Sequence, residues 1–208
     1  MSDGPSPPPP GSARFFALLY TPRALRDGMT RLLALADEIG AGSMRTLEPA
    51  VAQARLAWWR FEAQRFAARQ PQHPWLKPIA AASAPAPPID LPALIEAAAA
   101  DPGGQQLRRA LFIAAAELLG AGPLTPATRD ALGELAMQSW QSEASTGAPP
   151  ATKAPSALQG VQTRIVPLLV WAALATPGAK KGSLLRGFTD NMRAWGVARR
   201  ASAGRYIP

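Results

Sequence analysis

Apolar side chains recur along this chain at intervals of three and four residues, the spacing that lines one side of an α-helix. Leu25, Met29, Leu32, Ala36 and Ile39 form the first stripe, and Gly40 and Gly42 end it. A second helix is predicted over 44–69. It carries Leu47, Val51, Ala54 and Trp58 on one stripe and Arg55, Trp59, Glu62 and Phe66 on an adjoining one. Trp58 is expected in the core, Trp59 at its edge, and Pro71 and Pro74 close the helix. Helices over 92–100 and 105–120 follow, separated by Asp101-Pro102-Gly103-Gly104, the second with Leu107, Leu111, Ala114 and Leu118 inward. Thr125 is placed to cap a helix reaching 141, with Pro126 in its first turn. Leu158, Val161, Ile165, Leu168 and Ala172 make another stripe. Ser183 opens a last helix on which Leu185, Phe188, Met192 and Trp195 share a face away from Arg186, Arg193 and Arg200. No segment alternates in the manner of a strand and no repeat of 20–50 residues is present. The expected fold is all-α, a single-domain helical bundle.

Proline, glycine and serine divide the chain. Residues 1–12 form a Pro-rich tail that cannot bury anything and is expected to be disordered. A helical domain is expected over 13–200, with flexible segments at 78–91 and 142–156 and a tail at 201–208. The longest apolar run, Ile165 to Ala175, is 11 residues, short of the roughly 20 that cross a bilayer. It reads as a buried helix. With no basic start and apolar leader, the expected location is the cytoplasm, with attachment at the periphery of the inner membrane left open.

Composition narrows the chemistry. The 208 residues include 44 Ala, 23 Pro and 17 Gly, yet 48% hydrophobic content and 6 Trp argue against a disordered chain. There is no cysteine, which excludes disulfides, thiolate metal sites and cysteine nucleophiles. The single histidine, His73, removes sites that need two imidazoles and argues against a Ser-His-Asp triad. The 18 Arg against 4 Lys, beside the alanine excess, suit a GC-rich genome, so arginine abundance alone is not read as function. Charge is balanced through residue 150, whereas 151–208 holds nine basic side chains against Asp190, so the whole net +8 lies there. Such an end either solubilises a helix face or meets a phosphate-bearing surface.

The densest signal is 51–75, where Trp58 and Trp59 stand between Arg55, Arg60 and Glu62 and are followed by Pro71-Gln72-His73-Pro74. On its own the helix reads as ordinary, with Glu62 paired along it to neighbours such as Arg55 or Arg65 and His73 ending the segment. Arg55-Leu56-Ala57-Trp58-Trp59-Arg60-Phe61-Glu62 with Pro71-Gln72-His73-Pro74 resembles the R-x-x-W-W-R-x-E … P-x-H-P stretch of bacterial squalene/phytoene synthases. Phe16-Ala17-Leu18-Leu19-Tyr20 is similar to the F-x-A-L-Y start of that family's first helix, and Leu132 to Gln138 is weakly like its L-G-x-A-x-Q helix. The resemblance covers 13–140 and implies the all-α isoprenoid-synthase fold, in a truncated form. It also implies prenyl diphosphates held through Mg²⁺ on two aspartate-rich helices.

Those helices depart from the family pattern. Magnesium needs converging oxygen ligands, so carboxylates should recur one turn apart. Asp27 is followed four residues later by Arg31 and Asp37 by Ala41, and Glu38 stands beside Asp37. After Gln138 the chain reads Ser139-Trp140-Gln141-Ser142, where the family has N-x-x-R-D. Asp130 and Glu134 are four apart but also suit the first turns of a helix.

The leading expectation is therefore a catalytically degenerate member that binds a protein partner or a prenyl lipid, with no catalytic residue, metal or cofactor. A mitochondrial complex I assembly factor in the family is the precedent for such a role. Its expected face is Arg55, Trp59, Arg60 and Glu62, and its expected basic surface is Arg186, Arg193, Arg199 and Arg200, which suits anionic membrane. The alternative is an active Mg²⁺-dependent prenyltransferase using Asp27, Asp37, Glu38, Asp130 and Glu134. A nucleic-acid binder, prompted by the high pI, is disfavoured because the basic excess sits in one terminal segment without a binding signature.

Overall fold

The computed structural model describes residues 4–42, 47–81, 89–144, 156–175 and 184–202, excluding the side chains of 140–144, 184–191 and 193. The described residues form helices and turns without a strand. In chain order the α-helices are α1 (Ala13–Tyr20), α2 (Arg26–Gly42), α3 (Pro49–Ala67), α4 (Leu76–Ala81) and α5 (Leu91–Ala100). They continue with α6 (Gln105–Leu118), α7 (Pro126–Ala144), α8 (Val166–Leu174) and α9 (Leu184–Ser202). The fold is all-α, as the periodicity predicts.

Local chemistry accounts for most boundaries. The Ser12 hydroxyl accepts from the Phe15 N–H at 3.1 Å and caps α1, so the end of the Pro-rich tail is already part of the helix start. Thr125 accepts from Thr128 N–H at 3.2 Å and starts α7 as expected. At the start of α6, Gly104 adopts φ 83°, and the Asp101 carboxylate accepts from the N–H groups of Gly103, Gln105 and Gln106 at 2.8–3.2 Å. A side chain at Gly104 would be strained there.

The centre of the bundle is α8, which is apolar all round and buried from Val166 to Ala173. Helices α1, α7 and α9 pack around it. Phe112 of α6 meets Trp171 of α8 with ring centroids 4.8 Å apart. Helix α6 pairs with α7 on one side and with α2 and α5 on the other, and α3 lies outermost against α2 and α5.

Three expectations are corrected. The stripe from Leu158 through Ala172 is not one helix. A 3₁₀ turn at Ser156–Leu158 and further turns precede α8, where Pro167 sits in the first turn. Residues 78–81, expected to be a flexible connector, belong to α4.

The third correction concerns α3. Trp59 is 3% exposed and Trp58 43% exposed, the reverse of the expected order. The inward residues are Trp59, Glu62, Ala63 and Phe66, while Val51 and Ala54 share the exposed side with Trp58. Both stripes have helical spacing, so the neighbours α2 and α5 decided between them.

On α9, Met192 and Trp195 are both exposed, and the helix buries Ala194, Val197, Ala198 and Ala201. These small side chains let the helix axis come close to α8, which larger residues on that side would prevent. Ser183 and residues 203–208 lie outside the described residues.

Candidate functional site

A cleft of about 300 Å³ opens between α1, α2 and the start of α6. Its polar groups are Arg14, Asp37, Arg108 and the Pro102-Gly103-Gly104 turn, and Ala36, Leu107 and Leu111 form its apolar wall. Arg14 Nη1 donates to both oxygens of Asp37, at 2.7 and 2.6 Å, closing α1 onto α2. Arg108 is buried, and its Nε donates to Ser139 Oγ at 3.2 Å. Ser139 in turn donates to Ala136 O at 2.7 Å. The guanidinium carbons of Arg14 and Arg108 each lie 5.2 Å from the Trp171 ring centre. The Trp171 ring thus lies within cation–π range of both guanidiniums. The charged side chains lining the cleft are Arg14, Asp37 and Arg108, and guanidinium groups of this kind suit a carboxylate or phosphate group with a small apolar neighbour.

A second cluster lies behind α3. The Glu62 carboxylate is fully buried, and its Oε1 accepts from the N–H groups of Gln72 and His73 at 2.6 and 2.7 Å. Arg65 stands 3.5 Å from Oε2. Glu62 therefore ties the Pro71–Pro74 turn to α3. His73 is buried among Trp58, Trp59 and Trp75, with ring centroids 5.2–6.1 Å away. Its Nδ1 accepts from Trp75 N–H at 3.2 Å, which puts the proton of the neutral ring on Nε2, facing Glu38 Oε2 at 3.2 Å. Every polar atom of the imidazole is used in holding the turn against α2, in line with a structural role.

The expected binding face is therefore divided. Trp59 and Glu62 are internal, whereas Arg55 and Arg60 are exposed. Arg60 donates to Glu96 of α5 through two bonds, at 2.8 and 3.1 Å. That pairing raises the Arg60 pKa and lowers that of Glu96. In the basic surface Arg199 and Arg200 are exposed, and the side chains of Arg186 and Arg193 lie outside the description.

The acids proposed as metal ligands do not converge. Asp27 accepts from Arg31 at 2.8 Å, Asp37 from Arg14, and Glu38 faces His73, while Asp130 and Glu134 stand exposed on α7. Among the described residues no three of the His, Asp and Glu side chains group into a metal-holding cluster. Each α2 acid faces a basic side chain of the chain itself, and the i,i+4 pair Asp130 and Glu134 sits on a different helix, α7.

Arg14, Arg108 and Trp171 were missed by the sequence reading. A signal for Arg108 was present: Phe112, Ala115 and Ala116 make a second apolar stripe on α6, which widens the buried face until it includes position 108. Nothing local marks Arg14, whose partners come from α2 and α8. Comparison with known proteins adds no assignment: no family model, no curated protein and no solved structure matches the chain.

Proposed function

We propose that this chain is a squalene/phytoene-synthase-like protein on an isoprenoid-synthase type of bundle, and that it acts by binding rather than by condensing prenyl diphosphates. The observation that carries this reading is the fate of the α2 acids. Asp27 and Asp37 are paired with Arg31 and Arg14, and Glu38 accepts from the His73 ring, so each α2 acid on the helix that should present carboxylates to a metal has a partner within the chain. The charged groups lining the cleft beside them are Arg14, Asp37 and Arg108. Guanidinium groups bind phosphate oxygens directly, in fork geometry and without a metal. At about 300 Å³ the cleft is at the small end of ligand pockets, enough for the anionic head of a prenyl lipid but not for two prenyl chains.

The test is binding and turnover of farnesyl diphosphate by the purified chain, with and without Mg²⁺. Metal-independent binding is expected, strengthened in Asp37→Asn, which leaves Arg14 without its carboxylate, and weakened in Arg14→Ala. Magnesium-dependent release of diphosphate would overturn the reading in favour of an active prenyltransferase. Absence of binding in every condition would leave a protein partner as the object of the scaffold.

A further inference from the structure

Helix α9 holds two unlike faces. Ala194, Val197, Ala198 and Ala201 are buried, and the helix packs on α8 and touches α1. On the other side Met192 and Trp195 are each 50% exposed, although they are among the largest side chains of the helix. Arg199, one turn beyond Trp195, stacks its guanidinium 5.2 Å from the indole centre, and Arg200 is also exposed. At 3.6 residues per turn, positions 185 and 188 fall on the line of Met192 and Trp195. Both are apolar in the sequence, Leu185 and Phe188. Arg186, Arg193 and Arg200 recur every seven residues along a neighbouring line. The only acid between 151 and 208 is Asp190.

We propose that α9 is a lipid-contacting helix that lies flat on an anionic bilayer surface. Met192 and Trp195 enter the boundary between headgroups and acyl chains, and Arg199 and Arg200 meet lipid phosphates. The small-residue face fixes the helix lengthwise on the bundle, so its outer line is presented parallel to a surface, as in-plane amphipathic helices require. Trp and Met suit the apolar side of that boundary, and an arginine stacked on the indole keeps its charge at headgroup level. An almost acid-free basic segment supplies the charge complement to phosphatidylglycerol-type headgroups. An acidic protein surface would use the same arginines but gives no reason for a line of Trp and Met facing water beside them.

The experiment is co-sedimentation of the full chain with vesicles of phosphatidylcholine alone and of phosphatidylcholine with phosphatidylglycerol. Binding to the anionic vesicles alone, weakening as salt rises, is expected. Met192→Ser with Trp195→Ser should lower partitioning about tenfold or more, since two half-exposed apolar groups are lost. Arg199→Gln and Arg200→Gln should each cost about fivefold. Val51→Ser with Trp58→Ser, on the exposed stripe of α3, should leave partitioning unchanged. Circular dichroism confirms that each variant is folded. Equal partitioning to neutral vesicles, no partitioning, or loss in the α3 variant with none in the α9 variants would each overturn the proposal. Vesicles without prenyl lipid are used, so the result is independent of farnesyl diphosphate binding in the cleft.

Discussion

Replacing Glu62 by alanine removes a fully buried carboxylate that accepts two backbone N–H groups of the Pro71–Pro74 turn. A hydrogen bond to a charged group contributes about 1.5–3 kcal/mol, so the two together represent about 3–6 kcal/mol. Part of this is offset, because the variant no longer holds a carboxylate out of water. A net loss of about 3 kcal/mol is expected, with the His73 N–H left buried and without its acceptor. In a domain of this size that corresponds to a fall in Tm of roughly 6–12 °C. Glu62→Gln is the control. Its amide oxygen can replace Oε1 and keep both bonds, so it should lose only about 1 kcal/mol. Urea unfolding followed by tryptophan fluorescence measures both, since His73 and its turn sit among Trp58, Trp59 and Trp75. Glu62→Ala within about 0.5 kcal/mol of the parent would refute the tethering role, as would a Gln variant as unstable as the Ala variant.

Three further outcomes follow from the same geometry. Trp59→Ala should cost about 3–5 kcal/mol in urea unfolding and Trp58→Ala about 1 kcal/mol or less, because only the first empties core volume. Gly104→Ala should lower stability by about 1–2 kcal/mol through its left-handed backbone, read as a shift in the urea midpoint without a change in slope. The Glu96 pKa is lowered by its hydrogen bond from Arg60, so the pair stabilises the fold above the ordinary carboxylate pKa. That contribution is lost as pH falls through the lowered value. The stability difference between the parent and Glu96→Gln should accordingly be small at neutral pH and vanish in acid, as measured by urea unfolding across pH, since both groups are exposed and screened by solvent.

Much of the fold is legible locally. The breaks at Gly40, Pro71, Asp101–Gly104 and Thr125 rest on backbone chemistry that each residue carries with it, and the helices begin and end near them. So does the burial of Val166–Ala173, whose apolar character on every side leaves no face for water. The exception shows the limit: Leu158 through Ile165 keeps helical spacing and buries Leu158 and Ile165, yet the helix starts only at Val166.

The candidate site was far less legible. Glu62 and Trp59 stood out because unusual residues cluster there, but the sequence assigned them to a surface and the structure uses them to hold a turn. The cleft brings together residues 14, 37 and 108, with Trp171 beside the two arginines, and no spacing rule connects them.

What the sequence determined by itself is the helical class, most element boundaries, the absence of cysteine chemistry and the basic C-terminal quarter. All of these depend on interactions within a few residues or on composition. The tertiary structure decided which side of α3 and of α9 faces inward, and therefore whether Trp58 or Trp59, Trp195 or Ala194, is buried. An apolar stripe states only that a helix has a face to cover. Which stripe is covered depends on the shape and approach distance of its neighbours, and on α9 alanines win because they let two helix axes draw together.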